Sequence, residues 1–203
     1  MRRLLLVATA VTLGLVVTDL ARHPALLADP AAPVYVAILG IVAGGYVAAA
    51  LLVTRRAGPL GAIFGVVVSG LWAAEIWAGN LAPPGLATVV LYRSSTLGVL
   101  VASAVGGVLG GRLRGRLADG ASVGAVSGML SGMLVCVVAV SGGAFSTTAQ
   151  VIDAATAAGY ADSLAAGINH LWIGLGVGSL CGLAGGAGGA ALARSRARPP
   201  AAS

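Results

Sequence analysis

The chain has 203 residues, of which 58% are hydrophobic and only 9% charged, and its mean hydropathy is +0.99. A water-soluble domain carries about a quarter charged residues, so this composition excludes an ordinary soluble globule. The net charge of +6 rests on arginine alone, with no lysine, and the arginines stand in pairs and triplets beside apolar runs rather than on one basic patch, so no nucleic-acid partner is expected.

A helix crossing about 30 Å of hydrocarbon needs roughly 20 apolar residues. Six runs meet this length: Leu4–Leu20, Pro33–Thr54, Pro59–Asn80, Leu86–Gly111, Ala121–Ser141 and Ala166–Ala193. They are too long for the strands of a membrane barrel, which need only about 9–11 residues. The expected fold is an all-α integral membrane protein, a bundle of six transmembrane helices forming a single polytopic domain over residues 1–203.

The first run follows Met1-Arg2-Arg3, which is similar to the start of a secretory signal peptide. Cleavage after Ala28 would leave five spans. The apolar stretch exceeds the usual ~7–15 residues, and Asp19, Arg22 and His23 would occupy the cleavage region. An uncleaved first helix is therefore expected.

The second and third runs meet at Arg55-Arg56, and the third and fourth at Ala82-Pro83-Pro84-Gly85. Glu75 and Arg93 lie nine residues on either side of Pro84. An antiparallel hairpin closing there puts both at one depth on adjacent helices. A charge near a helix centre costs about 2.5–3.5 kcal/mol on insertion scales. Each Leu, Ile, Val or Phe of the third run returns only about 0.3–0.6 kcal/mol. An ion pair between Glu75 and Arg93 would offset the cost and fix the hairpin.

Ser94 and Ser95 follow Arg93, and Asn169 and His170 open the sixth run at similar depth. Glu75, Arg93, His170, Asn169, Ser94 and Ser95 thus form the candidate polar site, either a structural ion pair or a ligand or proton site. Trp72, Trp77, Tyr92 and Trp172 lie near it, as an interfacial aromatic belt requires.

Between the fourth and fifth runs stand Arg112, Arg114 and Arg116. The longest connection follows the fifth, with Thr147, Thr148, Asp153 and Asp162 among alanines. A short helix lying on the outer surface is expected over Gln150–Ser163. Cys136 and Cys181 fall at different depths and are expected as unpaired thiols.

Arginine fixes the orientation. Arg2, Arg3, Arg55, Arg56, Arg112, Arg114, Arg116, Arg194, Arg196 and Arg198 all fall on one side if the chain crosses six times. Cytoplasmic loops carry the positive excess, so both termini are expected inside, with the arginines available to anionic lipid headgroups. The arginine-, alanine- and glycine-rich usage points to a bacterial plasma membrane.

Lipid removes the hydrophobic drive between helices, and small residues at four-residue spacing let backbones approach instead. The fifth run carries Gly124, Gly128 and Gly132; the sixth carries Gly174, Gly178, Gly182 and Gly186. These two helices are expected to be the closest pair. Shorter stripes are Gly40 and Gly44 in the second, Gly61, Gly65 and Ser69 in the third, and Gly98, Ala102, Gly106 and Gly110 in the fourth. One stripe could also serve a homo-oligomer or another membrane protein.

Catalytic chemistry is not expected. Without lysine there is neither a phosphate-loop lysine nor a Schiff base. Two histidines, His23 and His170, make no zinc helix, and no metal or cofactor is expected. The segment Gly58-Pro59-Leu60-Gly61-Ala62-Ile63-Phe64-Gly65 resembles the nucleophile segment of rhomboid intramembrane proteases, also six-helix proteins. Leu60 stands where that family has its serine, so the resemblance implies no protease. The expected function is a small permease or the membrane subunit of a transport system with an outward-facing polar site. The alternative is a non-catalytic scaffold or regulatory partner of another membrane complex.

Overall fold

The computed structural model describes residues 2–146 and 154–196, with side chains placed except at 52–56, 80–81, 142–146 and 196. Among these residues all regular structure is helical, and six helices are long and apolar enough to cross a membrane. The first, α1, is Arg2–Arg22, followed by a tight turn at Pro24–Ala28. The stretch Ala31–Ile76 is helical except at Gly58. It carries two spans, Ala31–Leu51 (α2) and Ala57–Gly79 (α3). A wide turn at Trp77–Leu81 leads to α4, Leu86–Arg114, then α5, Leu117–Ser146, and α6, Ala154–Arg196.

Two glycines make the corners at one end of the α3–α4 hairpin. Gly58 has φ 58° and ψ −153°, a region open essentially to glycine alone. Pro59 follows it and has no N–H to lose at the start of a helix. Gly115 ends α4 in the left-handed conformation, φ 68° and ψ 13°, the common glycine stop of a helix.

The Gln150–Ser163 region differs from expectation. Residues 150–153 lie outside the described residues, as do Thr147 and Thr148. From Ala154 the chain is already in α6, which runs 43 residues without a break. Ala157, Tyr160, Ala161 and Leu164 are buried, so this segment is not a separate surface helix. Its alanines favour helix, and no proline interrupts it.

Contacts divide the chain into two compact units. One comprises Arg2–Leu52 and Gly132–Ile173. In it, Leu5, Ala8, Thr9, Thr12, Val16 and Asp19 form the buried stripe of α1, a spacing of three and four residues that keeps one helix face inward. The Thr9 and Thr12 hydroxyls donate to the carbonyls of Leu5 (2.8 Å) and Ala8 (2.9 Å), satisfying polar groups that hydrocarbon cannot. Asp29 caps α2, its Oδ1 accepting from the Ala31 N–H at 2.8 Å.

Tyr46 is buried in this unit and donates its hydroxyl to the Leu171 carbonyl at 2.6 Å, tying α2 to α6. Tyr46→Phe is expected to lower the melting temperature of the detergent-solubilised protein, by a loss of about 1 kcal/mol. An unchanged melting curve would show that this bond contributes nothing net.

The other unit comprises Val53–Ser131 and the chain from Gly174 onward. Here α3 packs Phe64 against Gly106 of α4, where a Cβ would come 3.0 Å from the ring. Val126 and Leu130 of α5 fill the spaces left by Gly61 and Gly65. Gly182 of α6 meets both neighbours: a Cβ on Gly107 of α4 would lie 2.6 Å from its carbonyl oxygen, and a Cβ on Gly124 of α5 2.5 Å from its Cα.

Large apolar side chains cover much of the outer surface, among them Ile41 at 76% exposure and Leu180 at 69%. A soluble monomer rarely shows contiguous apolar patches beyond a few hundred Å²; six spanning helices put such side chains against lipid.

Candidate functional site

The predicted polar site falls on both units, and each part stands by itself. Glu75 lies half-buried near the end of α3. Beyond it the helix widens at Trp77–Leu81, closed by the Ala82 N–H donating to the Trp77 carbonyl at 2.9 Å. The Pro83-Pro84-Gly85 turn then reverses the chain, and the Thr88 hydroxyl donates back to the Pro83 carbonyl at 2.8 Å.

On α4 it is Tyr92, not Arg93, that meets Glu75: the phenol interacts directly with the carboxylate. Gly79 makes room, since a Cβ there would stand 3.1 Å from the Tyr92 ring. No salt bridge joins Glu75 to Arg93 among the described residues. The reason is rotational. Equal distance from Pro84 sets equal depth, but neighbouring helix residues point about 100° apart, and the face turned to α3 carries the tyrosine.

Arg93 is exposed. It lines a cleft of about 380 Å³ at the hairpin tip with Tyr92, Thr88, Val89, Gly79, Ala78, Ala82, Pro84 and Gly85. Ser94 turns its hydroxyl back to the Leu91 carbonyl at 3.1 Å and is exposed, whereas Ser95 is buried. The two serines therefore do not act on one face.

Asn169 and His170 belong to the other unit. Asn169 is exposed, and His170 is half-buried with Nδ1 2.7 Å from the Ala166 carbonyl one turn back. The glycines are distributed likewise. Gly124 and Gly128 meet Gly174, Gly178 and Gly182, and Gly186 meets Gly120, all in one unit; Gly132 stands against the His170 carbonyl in the other.

One arrangement escaped sequence reasoning. Asp19, which by sequence stands beside Arg22 and His23 in the candidate cleavage region, sits buried on the last turn of α1. Its Oδ2 and the hydroxyl of the fully buried Tyr160 are electrostatic neighbours, and neither has a hydrogen-bond partner among the described residues. The signal was present in the spacing, because Asp19 continues the stripe of Leu5, Thr12 and Val16. Cys136 is buried and Cys181 half-buried, both as free thiols. Among the described residues no group of three or more His, Cys, Asp or Glu side chains gathers to hold a metal ion.

Six apolar helices with sparse polar residues define a multi-pass α-helical membrane protein. Comparison with protein-family models, with characterised proteins and with solved structures finds no match to this chain.

Proposed function

We propose that the chain is a small permease, or the membrane subunit of a transport system, whose polar site is the cleft at the α3–α4 tip. The observation that carries this reading is Arg93: a guanidinium in a largely apolar cleft beside Tyr92, with no carboxylate bridged to it among the described residues. Charged residues within spanning helices are costly and mark substrate paths, and a positive group there suits a small organic anion. The arginine distribution supports both termini on the cytoplasmic side of a bacterial plasma membrane, which turns the α3–α4 tip outward. We read the protein as non-catalytic, without a cofactor, and its α5–α6 glycine faces as what holds those helices together.

The test is binding and uptake of small carboxylates and phosphates by the purified, reconstituted protein. Arg93→Gln is expected to abolish uptake, while Arg93→Lys keeps part of it and both variants insert at normal yield. Uptake that survives Arg93→Gln would remove this reading.

A second reading, a scaffold or regulatory partner, is favoured by α2. Gly40 and Gly44 are exposed at four-residue spacing beside Ile41, and a Cβ on either meets nothing within 4 Å. Such a face accepts a helix from a second copy or another membrane protein.

A further inference from the structure

We propose that the α4–α5 corner binds one anionic phospholipid, with an acyl chain in an apolar cleft and the phosphate at the arginines beside it. This inference is independent of the permease reading and concerns the opposite end of the α3–α4 hairpin.

Two clefts meet at this corner. One, of about 320 Å³, is lined by Ala57, Pro59, Leu60, Leu113 and Val123, with Gly110, Arg114 and Asp119 completing it. The other, of about 380 Å³, is polar and lined by Arg114, Arg116, Ala118 and Asp119. Arg114 and Asp119 are common to both, so the charged wall of the apolar cleft is also the floor of the polar one. Leu113, 71% exposed, forms the outer lip.

The guanidinium is held rather than trailing. Its Nη1 bridges Asp119 Oδ1 at 3.5 Å, and the side chain stays half exposed. Its Nη2 lies 3.6 Å from where a side chain on Gly58 would begin. Two arginines, Arg114 and Arg116, line the polar cleft against one carboxylate, Asp119. The local charge remains positive after the bridge is formed.

An apolar slot that shares Arg114 and Asp119 with a cationic one matches a molecule with both characters. A free phosphate would use only the polar half, and a zwitterionic lipid would gain little from the charge. Basic pockets at the ends of membrane helices take anionic headgroups in this way.

The test uses the full-length protein in neutral detergent, with native mass spectrometry and thermal shift. The probes are phosphatidylglycerol, phosphatidylcholine and inorganic phosphate. Phosphatidylglycerol is expected to stay bound and to raise the melting temperature; phosphatidylcholine and phosphate are not. Arg116→Gln, which leaves the Arg114–Asp119 bridge intact, should weaken phosphatidylglycerol binding about fivefold, the effect of one arginine at an anionic surface. Arg112→Gln removes the same charge from a residue lining neither cleft and should leave binding unchanged. Equal losses in the two variants would overturn the site in favour of diffuse attraction. Equal binding of phosphatidylcholine, or an equal shift with phosphate, would overturn it as well.

Discussion

Gly128→Val is expected to prevent the protein from accumulating in the membrane, or to lower its stability by about 3 kcal/mol or more where it does accumulate. A Cβ at position 128 would fall on the Gly174 carbonyl of α6, with the Gly178 Cα 3.1 Å away. Both are backbone atoms, so no rotamer change relieves the overlap, and the helices must separate. Separation also forfeits the neighbouring approaches of Gly124 to Gly178 and Gly182. Because association in lipid rests on such packing, no apolar side chain elsewhere compensates. Gly176→Ala is the control, since a Cβ there meets nothing within 4 Å. Equal yield and melting temperature for Gly128→Val and Gly176→Ala would show that α5 and α6 do not approach as described.

Gly58→Ala is expected to cost about 2 kcal/mol for a different reason. Space is available, because the nearest atom to an added Cβ is the Arg114 guanidinium at 3.6 Å, an ordinary contact. The cost lies in the backbone: φ 58° with ψ −153° is closed to residues bearing a side chain. Gly115, at φ 68° and ψ 13°, stands in the left-handed helical region that asparagine tolerates. Gly115→Asn should therefore melt near the parent, and Gly58→Asn well below it. Thermal denaturation of the three variants in detergent checks the ordering, and a Gly58→Ala protein as stable as the parent would contradict it.

The apolar runs were legible in the chain because hydrocarbon imposes a length that few other environments demand. The last helix shows where that reading stops. Hydropathy marks the segment that oil can hold, whereas helix formation depends on alanine and on the absence of breakers, so Ala154–Ser163 joined α6 rather than lying apart. The hairpin site divides along a similar line. Residue counts from Pro84 set depth, but they carry no information about azimuth, and Tyr92 took the position beside Glu75 that was assigned to Arg93. The burial of Asp19 is carried by its register, since Thr12 and Val16 lie on the stripe it extends, and not by its charge. The four-residue spacing of the glycines is visible in the chain; which backbone each one meets is a property of the folded units.

The 43 residues of α6 outrun the bilayer. At about 1.5 Å per residue its path is about 65 Å, roughly twice the hydrocarbon thickness of about 30 Å. One unbroken helix must therefore serve two solvents, oil along one stretch and headgroups or water along the rest.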